Sequence, residues 1–220
     1  MAGGSGRAQQ DEAANQAKAA VPEPQLKISG TVTSMQMVQD DRSVKVRLGL
    51  NVVAENAGKE DLILLRRTPE ANGEYLFGSA AADQPLWGSS HPAGQARSDR
   101  KGENLQKDLD QKEPPDDTTI ILNPGDTIGW DMPVELTIAK TAAAETGTTP
   151  RPAWDTVRKS CPCFLKLDVD LWPASIEPKA DQENPPFARK LAGRWKKKGR
   201  LVYAQQRSEP IPLNLQQAAR

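Results

Sequence analysis

Between Ser43 and Ala54 the residues Val44, Val46, Leu48, Leu50 and Val52 alternate with Lys45, Arg47, Gly49 and Asn51. Successive side chains of an extended strand point to opposite faces, so this pattern predicts a strand with one dry and one wet side. The same period returns at Cys163–Leu171, where Leu165, Leu167, Val169 and Leu171 alternate with Lys166, Asp168 and Asp170. It returns again from Ile128 to Ile138, with Ile128, Trp130, Met132, Val134, Leu136 and Ile138 in one phase. Pro133 has no N–H to give to a ladder, which places this third segment at a sheet edge or at a break.

Shorter segments fill the intervals. Leu26, Ile28 and Val32 open the series, and a turn at Gln39-Asp40-Asp41-Arg42 leads into the Val44 strand. Leu62–Leu65 is a continuous apolar run, expected to pair with Glu74–Phe77 across Ala71-Asn72-Gly73, because Asn-Gly suits tight hairpin turns. Asn123-Pro124-Gly125-Asp126 has the proline and glycine positions of a type II turn. Leu201–Ala204 and Ile211–Leu215 close the set, broken by Pro210 and Pro212. The sum is an all-β fold: an antiparallel sandwich of roughly seven to nine strands with long loops and one short amphipathic helix.

One such domain is expected over residues 25–216, with a disordered tail at 1–24 and a short tail at 217–220. Apolar residues make up 37% of the chain, so the core must come from a few concentrated stretches and the rest must be solvated loop. Three long connections span 79–117, 140–160 and 173–199; the stretch Gly94–Pro115 of the first reads as disordered. The third holds the predicted helix: Asn184 as N-cap, Pro185 and Pro186 in the first turn, Gly199 as the stop. Phe187, Leu191 and Trp195 then form one apolar stripe.

These residues resemble the bacterial immunoglobulin-like sandwiches. The resemblance rests on the Val44 strand followed by Asn56-Ala57-Gly58 and Leu62–Leu65, on the turn at Leu122–Asp126, and on Leu167 through Trp172-Pro173. The closing Ser208–Leu213 completes it, so that it spans about residues 26–215. It departs from antibody-type domains in having no cysteine pair on opposing sheets. It implies a module for adhesion, accessory binding or inhibition, as in an intracellular proteinase inhibitor of bacilli; a fold alone does not choose among these.

Function classes narrow by what the chain contains. Lys and Arg balance Asp and Glu at a net charge of zero, which argues against a dedicated nucleic-acid binder. No apolar stretch approaches the ~18 residues that span a bilayer. The Ala/Gln/Gly-rich opening resembles the tether that follows a cleaved leader, which tilts the expectation towards export. Phosphate loops, H-E-x-x-H, paired C-x-x-C and a G-x-S-x-G nucleophile turn are missing, and the chain has a single histidine, His91, so neither an enzyme nor a cofactor is expected. Asp168 and Asp170 are read as solvated alternate positions.

Cys161-Pro162-Cys163 admits three readings: core thiols in the phase of Leu165, a disulfide, or a soft-metal site with help from Met35, Met37 or Met132. The first is favoured, because Cys163 keeps the inward phase of Leu165 and Leu167 and a buried cysteine behaves as a small hydrophobe, while two cysteines cannot close a tetrahedral site by themselves.

The sharpest local signal is Arg189, Lys190, Arg194, Lys196, Lys197, Lys198 and Arg200, a run without an acid around Trp195. It fits an anionic lipid surface, a nucleic-acid backbone or an acidic protein. The plainer reading docks the apolar stripe on the sheets and leaves the cations solvated, facing acids such as Asp108, Asp110, Asp116 and Asp117. The leading expectation is a non-catalytic module that binds a protein or surface partner through its loops, with Trp87, Trp154 and Trp195 as aromatic anchors. Trp130 and Trp172 are assigned to packing.

Overall fold

A computed structural model describes residues 25–89, 100–142, 152–172, 176 and 185–216. The expected tails, His91 and the Asn184 cap lie outside the described residues. The Val44 segment becomes the centre of a three-stranded sheet. Strands β1 (Leu26–Gln39) and β2 (Ser43–Asn56) form a long antiparallel hairpin, and β7 (Thr127–Ala139) pairs with the far side of β2. Asp40 closes the hairpin by accepting the backbone N–H groups of Arg42 (2.8 Å) and Ser43 (2.7 Å), which hold its carboxyl below the usual range. Pro133 sits at the sheet edge, as its missing donor requires.

A second sheet has the order β10 (Gln206–Arg207), β8 (Cys163–Asp170), β4 (Glu70–Phe77), β5 (Trp87–Ser89), and β11 (Ile211–Leu213) also pairs with β8. A third sheet sets β3 (Leu62–Leu65) between antiparallel β6 (Thr119–Leu122) and parallel β9 (Arg200–Leu201). The described residues are therefore mostly β, in three sheets without a closed barrel. There are eleven strands among the described residues, more than expected, because Trp87–Ser89 and Gln206–Arg207 add two short ones.

Val46, Leu48, Leu50 and Val52 of the first sheet and Leu76, Leu165, Leu167 and Val169 of the second belong to one buried cluster. Each such side chain contributes roughly 1.5–3 kcal/mol by leaving water. A second cluster joins Ile63 and Leu65 to Leu109, Trp172, Phe187, Leu191 and Trp195. Leu62 and Leu64 belong to the first cluster, so β3 is apolar on both faces because both are covered.

Two expectations about connections fail. Glu74–Phe77 does not form a hairpin with Leu62–Leu65; β4 runs straight through Ala71-Asn72-Gly73 and pairs with β8 and β5, with a register shift between Ala71 and Gly73. Glycine is needed there for another reason: a Cβ on Gly73 would lie 2.9 Å from an Asp168 carboxylate oxygen. The supposedly unstructured stretch contains helix α1 (Arg100–Leu109), whose Leu109 is fully buried in the second cluster. Helix α2 (Trp154–Lys159) interrupts the second long connection, and α3 (Pro186–Trp195) is the predicted amphipathic helix. Among the described residues no helix is long and apolar enough to cross a membrane.

Candidate binding cleft and the basic segment

Phe187, Leu191 and Trp195 of α3 are buried in the second cluster, and its cations face acids of the same chain. Arg194 donates to Asp110 (2.6 Å) and to the Gln111 carbonyl (2.8 Å), Lys190 pairs with Asp110 (3.2 Å), and the Trp195 indole N–H donates to the Gln111 carbonyl (3.1 Å). Arg194, with Lys190 beside it, holds the Asp110 carboxyl below its ordinary range. Lys198 pairs with Glu113 (3.2 Å) and Arg200 with Glu60 (3.0 Å). The helix ends at Trp195 rather than near Gly199, and Lys196–Lys198 form a turn. Among the described residues Lys196 and Lys197 form no ion pair and are exposed; Arg189 is engaged within the chain. The run is largely a seam that ties α3 to the 110–113 segment.

The three tryptophans expected as anchors are placed otherwise. Trp87, Trp154 and Trp195 are 5%, 7% and 1% exposed, so their indoles pack inside the protein and offer no face to a partner. Trp172 is also buried, against Phe187, and its Nε1 has no hydrogen-bond partner among the described residues.

Cys161 and Cys163 are both buried, in keeping with their phase, but they form a disulfide, which corrects the expectation of free thiols. A disulfide has no thiolate to give to a metal, and among the described residues no group of metal-ligating side chains assembles. Asp168 is likewise corrected. It is 8% exposed rather than solvated, because Arg207 Nε and Nη2 grip its two oxygens at 2.7 and 3.0 Å.

A cleft of about 310 Å³ opens where the start of β4 approaches the edge of β7. Its apolar wall is Pro69, Ala71, Met132 and Val134, and Glu70, Glu74 and Glu135 also line it. Glu70 is tied to Arg67 (3.4 Å), and Glu135 to Arg47 (2.8 Å) and Lys45 (3.7 Å), Arg47 holding the Glu135 carboxyl down. Glu74 differs. It lies in the phase of Leu76, on the core-facing side of β4 opposite Leu167, and no cation lies within ion-pairing distance among the described residues. Burial pushes its carboxyl up to about 7, opposed only by a hydrogen bond from its own backbone N–H. The sequence signal was available: an acid in step with Leu76, two residues away on the inward row.

Among the described residues no strand pairs with the edge of β7 beside this cleft. Pro133 faces Gly49 and cannot donate, so the bonds to β2 fall on the even-numbered residues, in step with Lys140 N–H to Arg42 O and Asn56 N–H to Asp126 O at the two ends. Gly129, Asp131, Glu135 and Thr137 therefore aim their N–H and C=O groups away from β2, and among the described residues no strand receives them. Compared with known proteins, the chain matches no protein-family profile, no curated protein and no solved structure.

Proposed function

We propose that this chain is a non-catalytic binding module, an immunoglobulin-like sandwich that recognises a protein partner at the cleft between β4 and β7. The observation that carries the reading is the cleft itself: in one place an apolar wall and, among the described residues, an inward carboxyl without a counter-charge and an unpaired strand edge. Two sheets sharing one core, and the Asn123–Asp126 turn with Gly125 at φ 86°, support the sandwich assignment. Glu70 and Glu135 are held by cations, which leaves Glu74 as a lone acid. Acid–base or nucleophilic catalysis needs a complementary group within hydrogen-bond reach, so recognition fits this site better. Binding of an anionic surface through Arg189–Arg200 is the second reading; Lys196 and Lys197 favour it, while the pairs of Lys190, Arg194, Lys198 and Arg200 weigh against it.

A photo-crosslinking residue placed at Pro133 or Thr68 in the full chain, beside one at Lys197, tests the choice in native extract. The same protein trapped from both cleft positions and not from Lys197 is the expected result. Trapping only from Lys197, reversed by high salt, would put the anionic-surface reading first.

A further inference from the structure

We propose that the ligand of this cleft is an extended, lysine- or arginine-bearing segment of a partner protein, which adds as a strand to β7 and sets its cation against Glu74. The inference rests on the cleft reading above and names its occupant.

The first support is the edge. Outward N–H and C=O groups at Gly129, Asp131, Glu135 and Thr137 repeat every second residue, the spacing at which an added strand bonds. Pro133 removes one donor from the middle, so an incoming chain is held above and below it and is freest at the cleft mouth. A strand laid there turns alternate side chains towards Met132, Val134 and the cleft.

The second support is charge. Glu70 and Glu135 already have cations, whereas Glu74 has none among the described residues and sits half-buried among apolar side chains. Asp131, exposed on the same edge, accepts among the described residues only a long hydrogen bond from Asn51 (3.3 Å). A purely apolar ligand would strip the remaining water from Glu74 without offering a partner, and an acidic one would be repelled. A cationic side chain lying along the apolar wall satisfies both demands, because its stem packs while its head pairs.

A second copy of this chain fits poorly. Antiparallel pairing of two β7 edges about Pro133 would set Asp131 of each against Glu135 of the other, like charge facing like charge.

The test uses the full chain and a displayed library of random extended peptides, followed by titration with the best binder. The expected outcome is a consensus with Lys or Arg at one position. Replacing that residue by norleucine, or making Glu74→Gln, each weakens binding about tenfold, and the two together add little beyond either alone. N-methylation of alternate peptide amides abolishes binding, and Asp131→Pro, which deletes an outward donor while leaving the bonds to β2 intact, weakens every peptide. No binders, no basic consensus, or indifference to Glu74→Gln overturns the basic-strand proposal. Indifference to N-methylation overturns strand addition. If crosslinking finds a partner at the cleft and these results fail, only this inference falls; if crosslinking finds no partner there, the cleft reading falls with it.

Discussion

Glu74 stands directly across the β4–β8 ladder from Leu167, so a carboxyl group occupies the inward row that also holds Leu76 and Leu165. Burial raises it to about 7 in the folded chain, from an ordinary 4.5. Between those values the folded protein binds more protons at this site than the unfolded chain, so stability falls as pH rises through that window and is fully spared below it. Glu74 keeps some contact with water, which screens the effect to roughly 1–2 kcal/mol. Glu74→Gln should therefore stabilise the protein by about that much at pH 8 and hardly at all at pH 4. Urea unfolding at the two pH values measures it; an equal gain at both would refute the assignment.

Asp168 and Arg207 form the opposite case, a buried acid with a well-made partner. The guanidinium forks both carboxylate oxygens and lies 5.0 Å over the Tyr75 ring, and its hydrogen bond to Asp168 raises its own affinity for the proton. Arg207→Ala leaves the buried Asp168 carboxyl without this partner, at a cost of about 1–3 kcal/mol. Arg207→Lys recovers only part of this, because an ammonium cannot fork. Denaturant midpoints that are the same for all three proteins would show that the pair contributes nothing.

The strands that alternate cleanly, Val44–Val52 and Cys163–Val169, could be read from the sequence because burial on one face writes a period of two. Leu62–Leu65 could be read as a strand but not placed, since its two faces serve two different clusters and carry no period. The hairpin expected at Asn72-Gly73 failed because the same dipeptide serves a turn or a bulge, and the choice belongs to Asp168 across the ladder. The basic run was legible as charge, but its neutralisation by Asp110 and Glu113 depends on a contact about 80 residues distant. The cleft brings Glu74 and Met132 together from different sheets, and only the fold connects them.

Gly125 and Gly199 both hold positive φ, at 86° and 149°, yet they should respond differently to alanine. Nothing lies within 4 Å of a Cβ built on Gly125, so the cost there is conformational alone, about 1–2 kcal/mol. At Gly199 the same atom would lie 2.7 Å from the Asp61 carbonyl oxygen, which receives the Arg200 N–H at 2.8 Å. Backbone must move and the β3–β9 junction with it, so Gly199→Ala should be the more damaging of the two, by a further ~1–3 kcal/mol. Thermal unfolding of the two variants side by side decides the order.

Trp195 tests whether the second cluster stands apart from the first. It is 1% exposed, packs with Phe187 and Leu191, and donates its indole N–H to Gln111. Trp195→Ala removes both the packing and the tether, at roughly 3–5 kcal/mol. Trp195→Phe keeps a ring but leaves the Gln111 carbonyl without this donor, at about 1–2 kcal/mol. Lys196→Glu and Lys197→Glu, in the exposed turn beyond it, should stay within about 0.5 kcal/mol of the parent. Hydrogen exchange then locates the damage. In Trp195→Ala, protection should fall in α3 and around Leu109–Gln111, while the amides of β2 and β7 keep theirs, since the residues of those strands lie in the other cluster. Equal loss in β2 would mean that β3, whose side chains enter both clusters, couples them into one cooperative unit.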